Sequence, residues 1–455
     1  MLPATPGTST TPTDPDAELG RLPDELIDRF ARPFAHFLRI EAAAGGLLLL
    51  VAALAVVIAN TGGAAAFEAL WQIHVGVQFG ELDYGRSVRA WINDAAMTLF
   101  FFVVALELKR ELSLGELRNP RTAALSIAAA AGGMIVPAAI YLALQGGEPG
   151  HTGWGTVMAT DTAFVVACLA LLRERIPQSL RVFMLSLAIV DDVGAIVVVA
   201  VGYSHGFHWG ALALAGAVLA VIALMRRLGL RSFAPYVIAG IVLWLAVDAS
   251  GIHATVTGVV LGLMTPSRRW VSDERLYAIL ERVVAHPPET ASSAATKDRK
   301  TLQAAEIAAR ESLSPVERLE IALHAWVGFV VMPLFAFANA GLPLSGAAAG
   351  SAVTWAIVAG LALGKPLGVL SFTWLAVQSG VAARPANLRW RFIAGGAMLA
   401  GIGFTMSLFI AQRAFDPALL DEAKVGIYLA SLLSAALGLA VLWVRPVRRS
   451  GPASA

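Results

Sequence analysis

Twelve times along this chain a run of about 20 mostly apolar residues recurs, and a run of that length makes a helix that crosses a bilayer. The runs lie at about 41–60, 91–108, 122–144, 152–172, 180–201, 209–225, 233–248, 250–265, 320–343, 352–378, 391–414 and 423–443. The seventh and eighth are parted only by Asp248-Ala249-Ser250-Gly251, so eleven spans is the alternative count. Composition agrees, with 57% of residues hydrophobic and 15% charged, against about a quarter charged in soluble domains. A water-soluble globular fold, a disordered chain and a nucleic-acid binder are excluded on that ground. The single cysteine, Cys168, rules out a disulfide framework and any cysteine-based metal site and reads as a small packed residue.

Arginine placement sets the expected orientation, because short cytoplasmic loops carry the Lys and Arg. Lys109, Arg110, Arg118 and Arg121 fall between the second and third runs, and Arg173, Arg175 and Arg181 between the fourth and fifth. Arg226, Arg227 and Arg231, then Arg384, Arg389 and Arg391, continue the alternation, and Arg445, Arg448 and Arg449 end it. The connections near 145–151, 202–208 and 344–351 hold no Lys or Arg. An even number of spans with both termini in the cytoplasm follows. Residues 1–20 lack the basic start and apolar core of a signal peptide and read as a tail. Residues 21–40 mix Arg21, Arg29, Arg32 and Arg39 with Leu, Ile and Phe, the pattern of an amphipathic surface helix. The expected domains are therefore a cytoplasmic segment 1–40, a transmembrane domain 41–444 and a cytoplasmic tail 445–455. Two loops are long. Residues 71–89 in the external one alternate apolar and polar side chains around Gly80 and Gly85, which predicts a β-hairpin. Residues 267–319 form a cytoplasmic loop whose middle, around His286-Pro287-Pro288 and Ala291-Ser292-Ser293, predicts a break between surface helices.

Charges left inside the runs mark function, since each costs several kcal/mol there. Asp161 sits near the middle of the fourth run, Asp191 and Asp192 near the middle of the fifth, and Lys365 in the tenth. Adjacent helical residues point about 100° apart, so one of Asp191 and Asp192 lines an aqueous cavity while the other turns to a neighbouring helix. A buried lysine there is the natural partner, because an unpaired buried charge is costly. The fourth run carries Thr160-Asp161-Thr162 at its centre and the eleventh carries Gly401-Ile402-Gly403. Discontinuous helices are tolerated in a membrane where they line a cavity, and in many transporters they occupy matching positions of inverted repeats. Runs three to five and ten to twelve are the expected repeats. Asp161 would neutralise the two positive helix ends of such a pair and Lys365 the two negative ones. Thr160 reads equally as a helix hydroxyl bonded to its own backbone.

At these residues the chain resembles the NhaA-type sodium/proton antiporters of bacterial inner membranes. The resemblance is carried by Trp91-Ile92-Asn93-Asp94, Leu106-Glu107-Leu108-Lys109-Arg110-Glu111-Leu112, Ala159-Thr160-Asp161 and Val190-Asp191-Asp192-Val193-Gly194-Ala195. It continues through Ser250-Gly251-Ile252-His253-Ala254-Thr255, Pro333-Leu334-Phe335-Ala336-Phe337-Ala338-Asn339-Ala340-Gly341, Gly364-Lys365-Pro366-Leu367-Gly368 and Gly401-Ile402-Gly403-Phe404-Thr405-Met406-Ser407. It implies an all-α integral membrane protein of about twelve helices, with inverted repeats, two discontinuous helices crossing at mid-membrane and a small external β-hairpin. It implies electrogenic export of sodium or lithium against more than one proton, with no cofactor. Asp192 and Asp191 would carry the ion, Asp192 as its principal ligand, Lys365 would pair with Asp191, and Asp161 and Thr160 would lie at the crossing. The hairpin at 71–89 would make a homodimer, and membrane lipid would be the other partner. pH sensing would fall to Glu107, Glu111, Glu320 and His324. Ile321 stands where family members often have a second histidine, which puts the pH set-point in question and not the transport. The same cluster reads alternatively as ordinary charges at a membrane end.

Two other classes compete. An intramembrane aspartyl protease needs one Asp on each of two facing helices, whereas Asp191 and Asp192 share one. A sodium-coupled organic-anion symporter shares the crossed-helix architecture but has no need of the lysine pair.

Overall fold

The computed structural model describes residues 41–443 apart from 80–81, 116–117, 173–174, 205, 231, 286–293 and 344–347. The expected surface helix at 21–40 and both expected tails lie outside the described residues, as do the turn of the hairpin and the middle of the long cytoplasmic loop.

The chain runs through α1 (Glu41–Ala59), α2 (Ala64–Gln72), β1 (His74–Phe79), β2 (Leu82–Ser87), α3 (Val88–Trp91), α4 (Met97–Leu114), α5 (Pro120–Gln145), α6 (Thr162–Leu171) and α7 (Gln178–Gly202). It continues through α8 (Trp209–Arg227), α9 (Phe233–Ala249), α10 (Val256–Met264), α11 (Asp273–Ala285), α12 (Ala294–Glu311), α13 (Pro315–Trp326) and α14 (Met332–Asn339). The last elements are α15 (Ala352–Val358), α16 (Lys365–Gln378), α17 (Trp390–Ala400), α18 (Phe404–Ala414) and α19 (Pro417–Trp443). Among the described residues, seven helices are long and apolar enough to cross a bilayer, and three helix pairs pass only jointly, bent by 114°, 46° and 45°. The protein is a mostly helical, multi-pass membrane protein.

The hairpin is antiparallel, with Gly76 opposite Gly85 and Phe79 opposite Leu82. It is shorter than the expected 71–89, because Ala64–Gln72 forms a helix and Ser87 caps the next, accepting the Ala90 amide at 3.2 Å. The eighth run also differs from expectation. Residues 250–255 are not helical and only the nine residues of α10 are. Gly251 takes φ +86°, Ser250 bonds its hydroxyl to Val247 at 2.6 Å, and its carbonyl is taken by His208 at 3.0 Å. Those contacts stop the helix and separate the seventh run from the eighth. In the loop expected to be cytoplasmic two helices, α11 and α12, pack on each other. Residues from Pro315 onward belong to the next span, entered through a capping box between Ser314 and Glu317.

Three single turns widen to π geometry, at Ile92–Ala96, Val327–Val331 and Ala359–Gly364. The second and third are each followed at the second residue by a proline, Pro333 and Pro366. A proline ring clashes with the carbonyl four residues back, and the wider turn relieves that clash. Lys365 therefore leaves a π turn, a common setting for functional residues. It is held near α5 by the closest helix contact in the molecule's centre. A Cβ on Gly132 would lie 2.2 Å from the Gly368 carbonyl, and one on Gly368 would lie 2.0 Å from the Gly132 carbonyl. Only glycine at both positions permits this approach.

Candidate functional site

The two spans broken by 46° and 45° meet at their breaks. Pro149–Val157 is a 3-10 helix, which sequence periodicity does not reveal, and residues 158–161 are not helical before α6 begins at an angle of 46°. Gly401 to Gly403 separates α17 from α18 at 45°. The Asp161 amide donates to the Ile402 carbonyl at 2.7 Å. The Thr160 hydroxyl donates to the Ala400 carbonyl at 2.9 Å, and the Ser407 hydroxyl to the Thr156 carbonyl at 2.7 Å. Breaking a helix leaves backbone groups without partners, and here each break supplies partners for the other.

Asp161 serves both positive ends, as expected. Its Oδ1 accepts the Phe164 amide at 3.1 Å, capping α6. Its Oδ2 accepts the Thr405 amide at 3.0 Å in the first turn of α18, and the Thr405 hydroxyl as well. Lys365 serves only one negative end, the Met158 carbonyl. The other, at Ala400, is met by the Thr160 hydroxyl. Thr160 thus bonds a carbonyl of the other broken span while lying beside Asp191. It links the two breaks.

Asp191 and Asp192 on α7 face apart, as the 100° spacing requires. Asp191 Oδ2 lies 2.7 Å from Lys365 Nζ, with both side chains wholly buried. Asp192 turns towards α6, where the Thr162 hydroxyl donates to its Oδ2 at 3.0 Å. The Oδ1 atoms of both aspartates are buried without a hydrogen-bond partner, although the Thr160 hydroxyl and amide lie beside Asp191. Two adjacent buried carboxylates thus each keep one oxygen without a hydrogen-bond partner.

Three of the four expected pH-sensing residues come together. His324 Nδ1 lies 3.3 Å from Glu107 Oε1, and Arg110 pairs with Glu320 across α4 and α13. Glu111, one turn further on, lines a cavity of about 620 Å³ with Gly115, Arg118, Asn119, Val182, Leu185 and Ser186. That cavity reaches along α7 to within a little over one turn of Asp191.

Sequence reading missed a second charged cluster. Arg86 of β2 bridges Asp94 at 2.7 Å and Asp248 at the end of α9, and Asp94 also pairs with Arg413 of α18. The Tyr84 hydroxyl donates to Asp248 at 2.8 Å, and burial together with that acceptor pushes its phenol well above the usual range. Asn93 is bonded by Asn339 at 2.7 Å and bonds Gln412. Thr162 and Thr405 were missed too. Their only sequence signal is a hydroxyl next to a break.

A bundle of apolar helices, two of them broken and joined over buried carboxylates beside a buried lysine, defines a polytopic membrane protein built around discontinuous spans. The family model described as Na+/H+ antiporter 1 matches residues 35–442, and the chain belongs to that family. It is 56% identical to the Na(+)/H(+) antiporter NhaA of Rhizobium meliloti (strain 1021), over 93% of this chain and 97% of the relative. It is 55% identical to Na(+)/H(+) antiporter NhaA 2 of Acidiphilium cryptum (strain JF-5), over 94% of this chain and 95% of the relative. Na(+)/H(+) antiporter NhaA 2 of Vibrio vulnificus (strain CMCP6) is 52% identical over 93% and 95%.

Proposed function

We propose that this chain is a secondary transporter exchanging Na+ or Li+ for H+ at Asp192 and Asp191, by alternating access and electrogenically. Antiport of Na+ and H+ is the activity that relatives 52–56% identical are named for. The observation that carries the site is the pair of adjacent buried carboxylates, each with one unpartnered oxygen. Sodium is a hard cation that takes oxygen ligands, and a carboxylate holding a proton is a poor ligand for it. One site then serves either cargo, and opening it alternately to each face couples their fluxes without a covalent step. Lys365 holds Asp191 when the site is empty. A cation that draws Asp191 away leaves a desolvated lysine, which deprotonates readily, so more than one proton can move per cation. The cavity beside Glu111 supplies the cytoplasmic approach. The Glu107, Glu320 and His324 cluster, with Glu111, regulates by pH, since histidine changes charge near neutrality. Within this reading the chain has twelve spans, counting each of the two broken pairs at 149–171 and 390–414 as one. Spans three to five and ten to twelve are inverted repeats, the broken pair crosses at mid-membrane, and both termini lie in the cytoplasm of a bacterial inner membrane. Two copies pair through the hairpin, with lipid around them. The ions are cargo, and no cofactor takes part.

Dequenching of a pH-sensitive dye in everted vesicles tests this. NaCl or LiCl should dissipate the proton gradient at alkaline pH, and Asp192→Asn should lose the response while still folding. Silence to both ions from about pH 6.5 to 9 would sink the reading. Sodium-driven uptake of an organic anion with no proton flux would move it to the symporter class.

A further inference from the structure

We infer that Thr162 is a cation ligand that completes the oxygen set beside Asp192. The inference rests on the antiport reading above. Thr162 is the first residue of α6, and its Oγ1 stands 3.0 Å from Asp192 Oδ2. Among the described residues it makes the one hydrogen bond to that carboxylate, whose other oxygen is buried and bare. A hydroxyl carries one hydrogen and two lone pairs. With the hydrogen turned to Oδ2, the lone pairs stay beside the carboxylate, so one neutral and two charged oxygens converge on the same place. That is a donor set suited to a hard monovalent cation.

The neighbouring threonine is placed differently, beside Asp191 rather than Asp192. Thr160 commits its hydrogen to the Ala400 carbonyl at the meeting of the breaks. Thr162 is placed by different means. Asp161 caps α6 and is itself bonded into α18, so the first turn of α6 is fixed against the crossing. Its branched Cβ restricts χ1 further. The hydroxyl then has a function in each state. In the empty site it donates to Asp192 Oδ2. In the loaded site rotation about Cβ–Oγ turns a lone pair to the cation.

The test uses the full chain reconstituted in vesicles, with NaCl and LiCl as probes, in wild type, Thr162→Val and Thr162→Ser. Thr162→Val should raise the half-saturating Na+ concentration about tenfold at fixed pH, the loss of one bond to a charged centre. The Na+ to Li+ preference should also change. Thr162→Ser should restore both. Unchanged half-saturation in Thr162→Val overturns the inference. So does Thr162→Ser impaired as much as Thr162→Val, which would make the methyl group the working part. If Thr162→Val does not reach the membrane, calorimetric titration of Na+ into purified Thr162→Ala and Thr162→Ser decides. Weaker binding in Thr162→Ala alone supports the inference, and equal affinity in both overturns it. A wild type inert to both ions fails the antiport reading itself, which is distinct from an active wild type beside an indifferent Thr162→Val.

Discussion

Asp94 and Asp191 are both buried carboxylates facing cationic side chains, yet they are satisfied in opposite ways. Asp94 gives Oδ1 to Arg413 and Oδ2 to Arg86, so both oxygens are occupied by guanidinium groups. Arginine does not lose its proton in a protein, and a carboxylate closed by two of them has nothing to offer an incoming ion. Asp191 gives one oxygen to Lys365 and keeps the other bare, and Asp192 beside it does the same with Thr162. Lysine can release its proton when desolvated, and a hydroxyl can rotate. The first cluster joins the hairpin to three helix ends and holds them. The second is left incomplete, and incompleteness is what the reversible site proposed above requires. On that proposal, a buried carboxylate oxygen without a partner separates the second cluster from the first, and burial alone does not.

Variants in the two clusters should separate stability from transport. The largest effect is expected for Asp161→Ala. It removes the cap of α6 and leaves the Thr405 amide unpartnered at the start of α18. Caps contribute about 0.5–2 kcal/mol each and a buried orphan donor costs about 1–3 more. Thermal unfolding in detergent should show a loss of about 3 kcal/mol or more, with antiport abolished. Stability close to wild type would mean that the crossing does not depend on that carboxylate. Asp94→Ala should come next, at about 2–3 kcal/mol, since it leaves Arg413 without its carboxylate while Arg86 keeps Asp248. Half-saturation for Na+ should stay near the wild-type value. A large rise there would place the outer cluster on the ion path and erase the contrast.

Glu68→Gln should do least. Glu68 meets Arg89 through two bonds of 2.9 and 2.7 Å at an exposed position, where an ion pair contributes about 0.5 kcal/mol or less after solvent screening. The Arg89 hydrogen bond holds the Glu68 carboxyl below its ordinary value of 4.5. A lowered carboxyl stabilises the fold above its ordinary value and loses that contribution as pH falls through its folded one. The difference in unfolding temperature between wild type and Glu68→Gln should therefore be small and constant at neutral pH and vanish in acid. A difference that grows in acid would reverse the sign and break the assignment.

Much of this was legible without coordinates. The runs at 120–145, 178–202 and 417–443 emerge close to their expected ends because run length is a local property of the chain. Asp161, Asp191, Asp192 and Lys365 stood out because a charge within an apolar run is visible whatever it later touches. That a buried lysine would pair with one of the two adjacent aspartates followed from the cost of burying either alone, and the resemblance to the antiporter family implied that this one is Asp191. Less legible were the 3-10 entry to the fourth span, the helix before the hairpin, the break at 250–255 and the π turn before Lys365. Each depends on what packs against the backbone.

The sequence by itself determined that this is a membrane bundle with a few expensive charges, since apolar length and charge cost are counted along the chain. Only the tertiary structure decided which atoms those charges meet. Arg413 is bound to Asp94, Thr162 rather than Thr160 faces Asp192, and Thr160 rather than Lys365 closes the helix end at Ala400. Those choices turn on contacts between segments remote in sequence, such as Gly132 against Gly368 and one broken helix against the other. A hydrogen bond is made or lost over a few tenths of an ångström, and distances that fine are set by how helices pack.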